Sequence, residues 1–211
     1  MSGTVKEDIN EVIKELEQTC VENPGSFTAH HQLGMVYHKA GRLDDAIREL
    51  LKAVEIDPLA ADSHINLGAI YFDKGEIDKA LAANERALEV VPQSARAHAN
   101  LGLIWQQRGE VKKAIQYYTD ATRHDPGLAT AWANLTTALI MDGNDEEALA
   151  AARKSVDLDP DFPIAQNNLA VALYYNKDYK NAKIHADNAL KLGYSVDPRF
   201  LEALDKERAS S

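Results

Sequence analysis

Pro24, Pro58, Pro92, Pro126 and Pro160 stand 34 residues apart along a chain of 211. A fixed period of this length constrains the fold more than any other feature, because it means one supersecondary unit used again and again. Other columns keep the same step. Leu33, Leu67, Leu101, Leu135 and Leu169 form one, and the small residues Gly34, Gly68, Gly102, Thr136 and Ala170 form the next. Tyr37, Tyr71, Trp105, Leu139 and Leu173 follow, then Gly41, Gly75, Gly109 and Gly143. Ala46, Ala80, Ala114, Ala148 and Ala182 make an alanine column, and Ala53, Ala87, Ala121, Ser155 and Ala189 close the unit.

Each column has a physical reading. Leu33, Gly34 and Tyr37 lie on one stripe at helical spacing, and Gly41 follows where a helix C-terminus favours glycine. A second stripe runs through Leu43, Ala46, Ile47, Leu50, Ala53 and Val54. It stops at Asp57-Pro58, since the residue before proline avoids the helical region. Each unit therefore predicts two antiparallel helices with a short turn, brought close by Gly34 and Ala46 and filled by Leu33 and Tyr37. One pair cannot bury both its faces, so stacking of at least ~3 units is required. The frame gives five: residues 27–60, 61–94, 95–128, 129–162 and 163–196.

The ends differ. Residues 1–26 carry a helix over 6–22, with Ile9, Val12, Ile13 and Leu16 inward, the second half of a degraded repeat. Residues 197–211 carry a capping helix over 197–208, with Phe200, Leu201 and Leu204 apolar, and a frayed tail at 209–211.

The spacing and the Leu-Gly, Tyr, Gly, Ala, Ala and Pro columns resemble the tetratricopeptide repeat family over about four-fifths of the chain. The resemblance implies an all-α, right-handed superhelical solenoid. Its first helices would line a concave groove for an extended or helical peptide. The related pentatricopeptide RNA binders use a slightly longer period, which the strict step of 34 does not fit.

Charge narrows the partner. The 33 acidic residues outnumber 23 basic ones, for a net charge of -10. That argues against nucleic acid, which is held by clustered Lys and Arg, and against an anionic membrane surface. No apolar run approaches the ~18 residues that span a bilayer, and the start of the chain lacks the pattern of a signal peptide. A cytoplasmic location is the expectation, with a removed export signal as the alternative. Cys20 is the sole cysteine. It reads as a small apolar filler, with Glu17 and Glu22 disfavouring a thiolate.

No reaction centre emerges. The chain has no phosphate-binding glycine loop, no nucleophile elbow and no H-E-x-x-H. His30, His64 and His98 share a column in which Trp132 replaces them, so they read as packing residues of separate repeats. Zinc wants ~3–4 convergent ligands, and the local sequence offers these histidines no cysteine or carboxylate at ligand spacing. No metal, cofactor or enzymatic activity is expected. Asp44-Asp45 and Asp145-Glu146-Glu147 open second helices, where carboxylates favour the positive helix end.

The groove can be spelled out. One column reads Gln32, Asn66, Asn100, Asn134 and Asn168, and a buried amide would need partners. It reads as a ladder offering donors and acceptors to a ligand backbone, as asparagines do in relatives of this family. Four such bonds would give about 2–6 kcal/mol at roughly 0.5–1.5 each. Micromolar binding needs about 8 kcal/mol, so neighbours must add specificity. Those are Phe72, Arg96 and the cluster Ile140, Met141, Tyr174 and Tyr175, which either binds a partner or packs under the C-terminal helix. Chaperone-binding relatives use a clamp of Lys, Asn, Asn, Lys and Arg. Here the matching positions are His31, Met35, Asn66, Arg96 and Asn100, which does not reproduce the clamp's charge. The expected function is a non-enzymatic scaffold or adaptor holding a protein or peptide in the groove. A self-assembling scaffold that uses solenoid ends or the convex face is the alternative, and a homo-oligomer is compatible with both.

Overall fold

The computed structural model describes residues 2–210, with side chains from 9 to 209. Its helices are α1 (Ser2–Glu22), α2 (Phe27–Lys39), α3 (Leu43–Ile56), α4 (Ala61–Asp73), α5 (Ile77–Val90) and α6 (Ala95–Gln107). After these come α7 (Val111–His124), α8 (Ala129–Asp142), α9 (Asp145–Leu158), α10 (Pro163–Tyr175), α11 (Tyr179–Lys191) and α12 (Pro198–Ser210). Among the described residues there is no strand. The fold is all-α, built from antiparallel helix pairs. The chain divides into two compact units, Met1–Ile104 and Trp105–Ser211.

In the first unit α1 packs on α2, α2 on α3, α3 on α4 and α4 on α5. Its core joins Ile13, Leu33, Tyr37, Leu50, Leu67 and Ile70. The start of α6 enters through Ala97, which packs with Ile65 and Ala87. In the second unit successive helices from α7 to α12 pack on one another. Leu169, Leu173, Ala182, Ala186 and Leu204 form its core there.

Helix pairs approach closely because bulk is traded across them. A Cβ added to Gly34 would lie 2.7 Å from Leu50 Cγ, and one on Gly68 would lie 2.1 Å from Asn84 Nδ2. In the second unit the same two columns hold Thr136 with Ala152 and Ala170 with Ala186, all fully buried. Where the second helix carries the bulk, the first gives up its Cβ.

Helix ends follow local chemistry. Ser26 caps α2 by accepting from the Ala29 N–H at 3.3 Å. Asp44 and Asp45 lie in the first turn of α3, and Asp145, Glu146 and Glu147 in that of α9. Gly41, Gly75, Gly109 and Gly143 take left-handed φ of 75–78°, and Lys177 holds the same column at φ 63°. The histidine column has its own task. His30 Nε2 lies 3.2 Å from the Pro24 carbonyl and His64 Nε2 lies 3.1 Å from that of Pro58. Trp132 Nε1 donates to Pro126 O at 3.0 Å, and Gln166 Nε2 to Pro160 O at 2.7 Å. Indole and amide nitrogens can only donate. The carbonyl therefore requires a donor in this column, and the two histidines supply it as Nε2–H.

Three expectations at the ends are corrected. Val12 is 41% exposed, while Ile13 is buried and Ile9 and Leu16 are half-buried. The apolar stripe of α1 is thus narrower than its sequence suggests, because its main packing partner is α2. Helix α1 begins at Ser2 rather than residue 6; no proline stands in that stretch to stop it. Helix α12 continues through Ala209 and Ser210 rather than fraying, in keeping with the high helix propensity of alanine.

Candidate functional site

The asparagine column sits on the first helix of each pair, and its amides bond within the fold. Asn100 Nδ2 donates to Asn84 Oδ1 at 3.0 Å and reaches the Ile65 carbonyl at 3.5 Å. Asn168 Nδ2 donates to the Ala133 carbonyl at 2.9 Å and to Thr137 Oγ1 at 3.1 Å. Asn66 Oδ1 accepts from Arg96 Nη2 at 2.9 Å. Asn66 and Asn168 are buried, Asn100 and Asn134 half-buried, and Gln32 exposed. The partners that a buried amide needs are thus supplied from inside the fold. Each internal donor links a repeat to the one before it, which periodicity alone could not reveal.

Arg96 also reaches Asp62 at 3.2 Å, so its charge is balanced locally. His31 Nδ1 meets Ser63 Oγ at 2.7 Å. Burial pulls the His31 pKa down, with Asp62 opposing and Arg96 reinforcing. These residues occupy clamp positions but form an internally satisfied network.

Beside Asn100 lies a cavity of about 140 Å³ lined by Gly68, Ala69, Phe72, Asp73, Asn100, Leu103 and Ile104. Phe72 and Asn100 belong to the groove expected from the sequence. Small-molecule sites run to roughly 300–1,000 Å³, so this cavity suits a single side chain.

In the second unit the apolar cluster divides. Tyr174 packs edge-on against Phe200 with ring centres 5.5 Å apart, and also against Tyr179 at 5.5 Å. Ile140 joins the same core, where Leu204 is fully buried. The C-terminal helix covers Tyr174 through Phe200, while Ile140 is half-buried against the core itself. Met141 is 55% exposed and Tyr175 51%.

A separate polar cluster lies in the first unit. Cys20 from α1, His30 from α2 and Glu49 from α3 bring ligand atoms within 4.8 Å of one another. His30 Nδ1 is 2.8 Å from Glu49 Oε2. Burial pushes the Glu49 carboxyl up, but bonds from His30, Arg48 and Lys52 bring it below its ordinary value. Burial, and then Glu49, push the Cys20 thiol up. The direction matches the sequence reading, but the responsible carboxylate is Glu49 rather than Glu17 or Glu22.

The fold thus defines a helical-repeat protein of the class that presents rows of side chains on successive helix pairs. Tetratricopeptide repeat profiles match residues 34–75 in one form and residues 65–129 and 137–193 in another, more than half the chain. The chain belongs to the tetratricopeptide repeat family. Its fold is similar to YrrB, described as "a TPR protein with an unusual peptide-binding site", at 21% identity and TM-score 0.66 over 90% of this chain and 97% of that one. PilF of Pseudomonas aeruginosa is 24% identical over 87% of both chains, with TM-score 0.75. A MamA structure is 24% identical over 76% of this chain and 94% of that one, with TM-score 0.64. No curated protein matches in sequence.

Proposed function

We propose that the protein is a non-enzymatic adaptor whose first-helix surfaces hold a partner polypeptide. Repeats of this family generally mediate protein–protein interaction. The observation that carries the finer reading is the side-chain-sized cavity at Phe72, Leu103 and Asn100. It supplies an apolar anchor point beside a polar amide, the combination that fixes a peptide by one side chain and its backbone. Because the Asn100 and Asn168 donors are taken internally, the acceptor oxygens are what these side chains offer to a ligand N–H. In the second unit the exposed Met141 and Tyr175 are the anchors. No helix among the described residues is long and apolar enough to cross a membrane.

The test is selection of binders from a random peptide library, followed by anisotropy measurements. Leu103→Glu, and separately Met141→Glu with Tyr175→Glu, should each weaken binding of its own class of peptide at least ~10-fold, the effect of about 1.4 kcal/mol. The Asn66, Asn100 and Asn134 to Ala triple variant, assayed where circular dichroism shows it folded, should also weaken binding. Undiminished affinity in all of these variants would exclude the groove.

A further inference from the structure

We propose that Cys20, His30 and Glu49 form a binding site for a divalent transition-metal ion of zinc type. Three observations converge on it. The first is geometric. The thiol, a ring nitrogen and a carboxylate oxygen arrive from three helices with all pairs within 4.8 Å. Ligands about 2.0–2.3 Å from a tetrahedral zinc stand roughly 3.3–3.7 Å apart, so rotamer adjustments within about 1 Å would close the set.

The second is the tautomer of His30. Its Nε2 is committed to the Pro24 carbonyl, as the donor-only Trp132 and Gln166 show for the equivalent positions. A metal-ligating histidine characteristically donates its other ring N–H to such a carbonyl, which fixes its orientation. That leaves Nδ1 facing a Glu49 oxygen at 2.8 Å. Nδ1 and the carboxylate share a hydrogen bond there, and a metal ion held by both would take its place.

The third is the setting. Glu49 and His30 are each 4% exposed, and a cavity of about 320 Å³ touches all three ligands. It leaves room for a solvent molecule in the fourth position, the arrangement of an open zinc site. Thiolate, imidazole and carboxylate together favour zinc over hard cations such as magnesium. Binding sends the thiol proton and the bridging proton to solvent. Arg48 and Lys52 now hold Glu49 at 3.1 and 3.3 Å, but their side chains are 53% and 47% exposed and can turn outward.

Cobalt(II) added to the full-length chain tests this by absorption. The expected result is one equivalent bound, with a thiolate-to-cobalt charge-transfer band and the visible bands of a tetrahedral ion. Cys20→Ala should abolish the charge-transfer band. His30→Gln keeps a donor for Pro24, as Gln166 does for Pro160, and should weaken binding at least ~10-fold, the lower limit for even outer-shell partners, with unchanged circular dichroism. Independently, zinc should shield Cys20 of the wild-type protein from an alkylating reagent and fail to do so in His30→Gln. Absence of the band in wild type, its survival in Cys20→Ala, or equal shielding in His30→Gln would overturn the proposal.

Discussion

Replacing Gly34 with alanine should destabilise the protein, and the same change should stabilise it once Leu50 is also alanine. The new Cβ would lie 2.7 Å from Leu50 Cγ, 3.1 Å from Leu50 Cδ2 and 3.2 Å from the Ala46 carbonyl. Carbon pairs settle at about 3.5–4.0 Å, so α2 and α3 would have to separate by roughly 1 Å. Leu50 is fully buried and cannot swing into solvent. Overpacking of this kind costs about 1–3 kcal/mol. The helix-propensity gain of alanine over glycine returns about 1 kcal/mol. The net is a loss of about 0–2 kcal/mol, centred near 1. Leu50→Ala alone should cost about 2–5 kcal/mol through the space it vacates. On that background the added methyl no longer meets the leucine side chain, so Gly34→Ala should gain about 1 kcal/mol. The difference is a coupling of about 1–3 kcal/mol, measurable by a double-mutant cycle in urea with far-ultraviolet circular dichroism. An effect of Gly34→Ala with one sign on both backgrounds would refute the argument that bulk is traded across the helix pair.

Further outcomes are expected. Lys177→Gly should raise stability by roughly 0.5–1 kcal/mol, because Lys177 holds a left-handed φ of 63° at a cost of about 1–2 kcal/mol that glycine's extra unfolded-state entropy only partly offsets; a thermal melt should rise by about 2–4 °C per kcal/mol. Burial, with the hydrogen bond to Glu17 adding to it, pushes the Tyr37 pKa from 10.0 up to about 12. The protonated form is the one the fold favours. Its contribution is therefore full below pH 10, falls as pH rises through about 12, and should vanish from the alkaline stability profile in Tyr37→Phe.

Much of the architecture is legible in the sequence because backbone periodicity and apolar spacing repeat together. Leu33, Tyr37, Ala46 and Leu50 mark helix faces without reference to any distant residue. The turn after each first helix is equally visible where glycine occupies it, and Lys177 is where that signal fails, since the neighbouring fold rather than the residue imposes the backbone. The candidate sites are less legible. A column of asparagines shows which face they share, but not that Asn168 turns its amide back onto Ala133. Ile140, Met141, Tyr174 and Tyr175 look alike as a string of apolar residues. Only the packing of Tyr174 on Phe200 and of Ile140 on the core separates the half-buried pair from the exposed one. Cys20, His30 and Glu49 have no ligand spacing at all; α1, α2 and α3 must pack before they meet. The trade of Gly68 against Asn84 is the signal most open to a closer reading, since small and large residues vary inversely between two visible columns.

The inward amides of Asn100 and Asn168 bear on how the array comes apart. In a one-dimensional stack, total stability is the sum of what each repeat holds alone and what each junction adds. The bonds from the Ser155 hydroxyl to the Ala129 carbonyl at 2.8 Å and from the Tyr118 hydroxyl to Gln106 Oε1 at 3.0 Å each stay within one repeat and belong to the first kind. The Asn168 bond to Ala133 crosses a junction and belongs to the second. Weakening the first kind lowers the whole melt, while weakening the second uncouples neighbours and lets the ends unzip before the middle. The asparagine column is in this sense a set of clasps that governs whether the protein melts as one body or in succession.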